Sequence, residues 1–308
     1  MEYRDAYDPI PLEDVHETHG PNDAGMMTHQ FYAFNTIITL QAYADAAQCA
    51  PAFDAARGAS RAFERRLSRT LPHSDISRLN AAAGKRVAVH DDTAELLRAA
   101  IGYCADSEGL FDVTVGSEMC IRDRDWRALR VSEAGEPGGS WAQLADPQAA
   151  VDVGGIAKGW IADRLSAVLA EHGLDSFVVN LGGNVMAHGQ KPDGSPWRVG
   201  LQDPRDKGSI VGAVTVRDAS AVTSGVYERC FERDGVFYHH ILDPKTGFPV
   251  ETDAAGATVV ARRSIDAEGY STTLLALGIE RGLAFARERD AILGAYFVDR
   301  DGKVAGIA

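Results

Sequence analysis

Apolar and polar residues along this chain fall into short blocks that switch between strand-like and helix-like spacing. Phe31–Tyr43 is β-branched and aromatic with partial alternation, which predicts a strand entering the core. Ala52–Leu67 then sets Phe53, Ala56, Phe63 and Leu67 at helical spacings, with arginines on the other face. Thr70–Asp75 breaks that helix, and Ser74 or Asp75 is placed to cap a short turn through Ile76 and Leu79. Asp92 is expected to cap a second helix, Thr93–Cys104, whose apolar set is Leu96, Leu97, Ala100 and Ile101. Gly109–Gly116 is a short strand-like run, and from Ser117 to Pro147 the pattern dissolves into charge, glycine and proline.

Val151–Val153 leads into a glycine pair and a helix predicted over Trp160–His172, with Ile161, Leu165, Val168 and Leu169 as its stripe and Gly173 as its stop. Strands are expected at Phe177–Asn180, Trp197–Leu201, Val211–Val216, Val222–Thr223 and Ala257–Ala261, with a tight turn at Leu181–Asn184. Helices follow at Ile265–Leu277 and about Glu280–Glu288, and a closing hairpin pairs Ala295–Val298 with Val304–Ile307 around Asp301-Gly302. Helices and strands mix without regular βαβ alternation, so the class is α+β. No internal repeat or linker stands out.

The 308 residues are long enough for a large core in one domain or two, and 45% hydrophobic with 24% charged residues is ordinary globular composition. A formal net charge of -13 leaves no basic stripe for a nucleic-acid partner, so an anionic ligand needs local devices: a cation, a lysine or backbone amides. Residues 1–27 are acidic and rich in Pro, Asp and Glu and are expected to form a loose extension before a domain over 28–308. Neither an apolar signal region nor a membrane span is expected, and the four cysteines lack CxxC spacing, so the residues point to a cytoplasmic location.

Three stretches could carry chemistry. In Asp152-Val-Gly-Gly-Ile-Ala-Lys158-Gly, glycines lead into a helix N-terminus, an arrangement that suits a phosphate, although neither the Walker A nor the GxGxxG spacing is met. A close-packed turn is the structural alternative. In Asp266–Thr273, Glu268 and Thr272 stand at i and i+4, on one face if the segment is helical; a carboxylate and a hydroxyl are the oxygen donors Mg²⁺ accepts. Helix capping is the alternative there. In Tyr238–Pro249, an aromatic run delivers His239, His240 and Asp243 to an Asp-Pro-Lys-Thr-Gly turn, which is either a reactive edge or a hairpin with one buried histidine. Val222–Arg229, a polar turn after a strand, is better explained as structural.

Taken in order, Ser74–Asn80, Leu110–Gly116, Asp152–Gly159, Val179–Asn184, Val199–Pro204, Thr223–Arg229 and His240–Gly247 resemble the ApbE-type FAD:protein FMN transferases. The resemblance runs from about Phe31 to the C-terminus. It implies an ApbE-like, T-fold-related fold and Mg²⁺-dependent transfer of FMN from FAD to a Thr or Ser hydroxyl of a target flavoprotein, with AMP released. It further implies an FAD pocket lined by Phe34, Leu110, Phe111, Asp112, Asp152 and Lys158, and a metal held by the Gly155 carbonyl, Glu268 and Thr272. His240 is expected to take the proton of the attacking hydroxyl and Asp243 to orient it, leaving His239 structural. A protein that holds FAD without transfer, or a metal-dependent FAD pyrophosphatase, are the alternatives.

Three departures from the family pattern matter. Glu268 stands where Asp is common, Ala33-Phe-Asn-Thr36 replaces Ala-Met-Gly-Thr, and Ser117–Arg124 resembles translated sequencing-adaptor read-through rather than native sequence. Resequencing the locus tests the last reading; a native Ser117–Arg124 would refute it.

Overall fold

In a computed structural model of the chain, the described residues are 15–115, 125–227, 230–233, 236–244 and 246–308. Ser117–Arg124, with Cys120 and the reading of that stretch as non-native, Lys245 and the first part of the expected extension therefore lie outside the described residues. The chain's described residues divide into two compact units: a larger one of residues 15–60, 158–241 and 249–308, and a smaller one of residues 61–157 and 242–248.

The larger unit is organised on a nine-stranded sheet in which every neighbouring pair is antiparallel. Its strands are β1 (His16–His19), β2 (Met27–Ala33), β3 (Thr36–Ala42), β7 (Phe177–Leu181), β8 (Asn184–His188), β11 (Ala219–Gly225), β14 (Ala254–Ala261), β15 (Ile292–Asp299) and β16 (Val304–Ile307), in the spatial order 1-2-3-7-8-11-14-15-16. Two further two-stranded ladders pair β9 (Trp197–Asp203) with β10 (Asp206–Val216), and β12 (Cys230–Arg233) with β13 (Val236–His239).

The strand expected over Phe31–Tyr43 is two strands. Phe34 and Asn35 both take positive φ (53° and 58°) and turn β2 back into β3, with Ala33 opposite Thr36. Asparagine tolerates that left-handed conformation, and two such residues make the turn whose twist suits a hairpin. The expected tight turn at Leu181–Asn184 is present, with Gly182 and Gly183 at φ 60° and 96° joining β7 to β8. Strand β1 lies inside the stretch expected to be a loose extension: its side chains are exposed, but its backbone completes the sheet edge against β2.

Strand β14 is buried at every position. Ala257, Val259 and Ala261 face a core shared with α5 (Ser264–Leu277) and α6 (Ile279–Arg287), whereas Val260 joins Trp197, Leu201, Val214 and Val216 of the β9–β10 ladder. A strand covered on both faces reads as a continuous small apolar run rather than an alternation, as this one does. Helix α5 is likewise buried nearly all round, including Glu268, Ser271 and Thr273.

Its start is capped from a distance. Arg263 supplies no side-chain cap, and the first amides of α5 donate instead to Asp163, Ser264 N to Oδ1 at 2.6 Å and Ile265 N to Oδ2 at 3.0 Å. Asp163 belongs to α4 (Ala157–Glu171), which begins earlier than the Trp160 expected from spacing. Ser264 Oγ donates to Asn184 Oδ1 (2.7 Å), so β8 also fixes this junction.

The smaller unit holds α2 (Asp75–Ala81), α3 (Asp91–Asp106) and a three-stranded sheet of β4 (Val87–Ala88), β5 (Leu129–Val131) and β6 (Trp141–Leu144). Helix α1 (Ala46–Leu67) carries the chain from the larger unit into it and starts before the expected Ala52, accommodating Pro51. Ser74 caps α2, accepting from Ser77 N, whereas α3 is capped by His90, not Asp92: its imidazole accepts from Asp92 N at 3.1 Å. Buried Asp75 holds α2 to α3 by accepting from Arg78 (2.5 Å), His90 N (2.9 Å) and Thr93 Oγ1 (2.6 Å).

Burial raises Asp163 to about 6 against the pull of its two amide donors and of Arg263. A carboxyl whose native value exceeds its unfolded value contributes stability that is lost as pH rises through the window from 3.8 to about 6. Asp163→Ala should therefore cost about 1–2 kcal/mol at pH 5 through loss of the cap, and less at pH 7.5. Urea unfolding at the two pH values checks this; a cost that grows with pH would contradict it.

Candidate functional site

The larger unit brings together Lys158, Glu268 and Thr272 of the expected set. Glu268 and Thr272 are one turn apart on α5, as the spacing predicts. Glu268 is buried and reaches back to the first turn of α4, where Gly159 N donates to Oε2 and Lys158 Nζ lies 3.7 Å from Oε1. The amide that a helix N-terminus offers to an anion is thus met at Gly159 by the protein's own carboxylate rather than by an open phosphate cradle. Burial pushes Glu268 above the usual carboxylate range, while the Lys158 charge and the Gly159 amide pull it down.

Gly159 cannot carry a side chain here. A Cβ would sit 2.6 Å from the Ser264 carbonyl oxygen and 2.8 Å from Ile265 Cα, so the close approach of α4 to α5 depends on glycine.

Thr272, half-buried, meets Ser224 of β11, with Oγ1 3.2 Å from Ser224 Oγ. Ser224 also lies 2.8 Å from Ser271 Oγ, which donates to the Glu268 carbonyl at 3.1 Å. The Val222–Arg229 stretch, expected to be structural, therefore contributes a hydroxyl directly beside the candidate metal residues. Sequence reading missed Ser224 because its partners lie 47 and 48 positions away.

His239 ends β13, opposite Cys230, and is buried; burial lowers its pKa below the ordinary imidazole value. His240, the next residue, is exposed. On the same hairpin, exposed Phe231 stacks on Tyr238 with ring centroids 5.1 Å apart. Phe34 stands at the half-buried tip of the β2–β3 hairpin.

The remaining candidates belong to the smaller unit. Asp152 accepts from Gly154 N (2.8 Å) and pairs with Arg69 at 3.3 Å. No strand forms at Val151–Val153; the segment is instead held by Asn80, which donates to Val151 O (3.0 Å) and accepts from Val151 N (2.7 Å), and by Asp152 N donating to Val113 O. Gly155 is exposed, and a Cβ on it would meet the ring of buried Phe111 at 3.1 Å. Asp112 is buried, its Oδ1 accepting from both Thr114 N and Oγ1 at 2.7 Å; burial raises its pKa and those two bonds lower it. Leu110 is half-buried at the turn after α3. Asp243 uses its backbone to close a turn, accepting from Gly247 N and donating to Phe248 O, both at 2.8 Å.

Among the described residues no group of three or more His, Cys, Asp and Glu side chains could cage a metal, and no helix is long and apolar enough to cross a membrane.

The profile of the ApbE family matches residues 34–297. A relative from Treponema pallidum, an FAD:protein FMN transferase, is 36% identical over 273 residues, covering 79% of this chain and 75% of its own. The crystal structure of the ApbE protein of Thermotoga maritima superposes with a TM-score of 0.80 over 90% of this chain and 96% of its own; at 23% identity it speaks to the fold alone. The apo flavinyl transferase ApbE of Pseudomonas stutzeri is 28% identical, with a TM-score of 0.72 over 96% of this chain and 94% of its own.

Proposed function

The chain belongs to the ApbE family, and from that premise we infer that it is an FAD:protein FMN transferase whose acceptor is a Ser or Thr hydroxyl of a target flavoprotein. In the reaction the acceptor oxygen attacks the phosphorus of the FMN half of FAD. The new P–O ester bond forms as the pyrophosphate P–O bond breaks, AMP leaves with the bridging oxygen, and the hydroxyl proton passes to a base.

The observation that carries this reading is the buried Glu268 carboxylate, set one turn from the Thr272 hydroxyl and 3.7 Å from the Lys158 ammonium. The donor set suits Mg²⁺. One carboxylate and one hydroxyl are oxygen donors of the kind this ion takes when waters and substrate phosphates complete its octahedron. A carboxylate that burial makes costly to ionise is also one that gains from a cation. Bound there, Mg²⁺ would supply positive charge to the pyrophosphate and to the leaving phosphate.

The protein's own residues do the rest. Lys158, half-exposed on the first turn of α4, offers an ammonium to a substrate phosphate, offsetting locally the repulsion expected from a chain of net charge -13. His240 is the proposed proton acceptor, since it is exposed and an imidazole titrates near working pH. His239, buried, is the structural neighbour that ends β13. In the smaller unit, Leu110, Phe111, Asp112 and Asp152 remain the proposed contacts to FAD, on the strength of their motifs.

Incubation with FAD, Mg²⁺ and an acceptor protein bearing an exposed Ser/Thr segment should add to the acceptor the mass of FMN less water and release AMP. His240→Ala should slow that transfer by about 100-fold or more, the usual yield of a positioned base. Free FMN and AMP without acceptor modification would replace transfer with pyrophosphatase activity. Retained FAD without AMP would make the chain a flavin holder, and transfer within a few-fold of wild type in His240→Ala would remove the histidine from the mechanism.

A further inference from the structure

Ser224 has no part in the chemistry set out above, yet it is the only one of the three hydroxyls in its cluster that touches both of the others. Its Oγ lies 2.8 Å from Ser271 Oγ and 3.2 Å from Thr272 Oγ1, and Ser271 Oγ is 3.1 Å from the carbonyl oxygen of Glu268. Each hydroxyl has one proton to donate and two lone pairs. Either oxygen of each Ser224 pair could donate, and only one direction lets all three bonds form together.

The Glu268 carbonyl can only accept, so the Ser271 proton is committed to it. Ser271 must then accept from Ser224. With its proton spent on Ser271, Ser224 must accept from Thr272. The relay runs Thr272 to Ser224 to Ser271 to the Glu268 carbonyl, down one turn of α5 and across to β11. Its result is that the Thr272 proton is turned toward β11, and the remaining lone pairs of Thr272 Oγ1 are free for a ligand that accepts electrons.

We propose that Ser224 is a positioning residue that orients the Thr272 hydroxyl as an electron-pair donor to a divalent cation held with Glu268. The proposal rests on the metal reading given above and deepens it, because it explains why a hydroxyl that could as readily donate presents oxygen instead. An unoriented Thr272 would turn its proton toward the cation in part of the population, and each such state would have to be reversed before binding. Outer-shell hydrogen bonds of this kind typically govern metal affinity by about 10–100-fold.

The test is titration of Mn²⁺ into metal-free protein, followed by loss of the free-ion electron paramagnetic resonance signal, with thermal unfolding measured in chelator alongside. Ser224→Ala should bind Mn²⁺ about 10–100-fold more weakly while melting close to wild type without metal. Ser224→Thr, which keeps the hydroxyl, should restore most of the affinity, an outcome that a purely structural role for the site would not give. Should Ser224→Ala fail to fold, Ser271→Ala interrupts the same relay from the helix side and should also weaken Mn²⁺ binding.

Wild-type affinity in Ser224→Ala, together with lost binding in Thr272→Val, would overturn the role of Ser224 and leave the metal reading standing. Wild-type affinity in Thr272→Val, or no Mn²⁺ binding by the wild-type protein, would overturn the metal reading and this inference with it.

Discussion

Everything proposed for the larger unit depends on how closely the first turn of α4 meets the first turns of α5. Three contacts hold that meeting in place: the Gly159 amide on the Glu268 carboxylate, the Lys158 ammonium 3.7 Å from the same group, and the Asp163 carboxylate on the Ser264 and Ile265 amides. The first and third satisfy backbone donors near a helix start that would otherwise go unpaired, each with a side chain from the other helix, and the second is an ion pair beside the first. A residue larger than glycine at position 159 would force the two helices apart and withdraw the carboxylate from its donors.

This arrangement explains how a fully buried acidic side chain can persist in α5. An isolated buried carboxylate would be costly, and Glu268 is raised by burial as that cost predicts. Partial compensation by one amide and one lysine leaves the group well suited to receive a second positive charge. The protein thereby keeps a strongly negative surface overall while concentrating cationic and oxygen-donor groups at one junction. Around that junction the sheet supplies rigidity: β14 is packed on both faces, β8 contributes Asn184 to the start of α5, and β11 contributes Ser224 to its middle.

Much of this was legible in the sequence because it depends on local spacing. The i and i+4 relation of Glu268 and Thr272, the glycine turn between β7 and β8, the Ser74 cap of α2 and the apolar stripes of the helices all follow from neighbours within a few residues. What was not legible depends on distant partners. The α5 cap comes from a residue 101 positions earlier, and the occupant of the α4 amide comes from 109 positions later, so a glycine-led helix start looked open to phosphate when Glu268 already filled it. The sheet of β4, β5 and β6 was missed because its strands are two to four residues long and the last two lie in a stretch dominated by charge and turn formers. Phe34-Asn35 looks like continuous strand because phenylalanine rarely adopts positive φ; the asparagine is the available signal.

The account stands on Glu268 being the carboxylate that receives the cation, and this is open to direct measurement without substrate. A ligand that binds only the folded state raises the melting temperature with its concentration. Melting of the wild-type protein should therefore rise progressively with Mg²⁺, and melting of Glu268→Gln should not respond. An equal rise in Glu268→Gln would place the cation elsewhere and contradict the central claim.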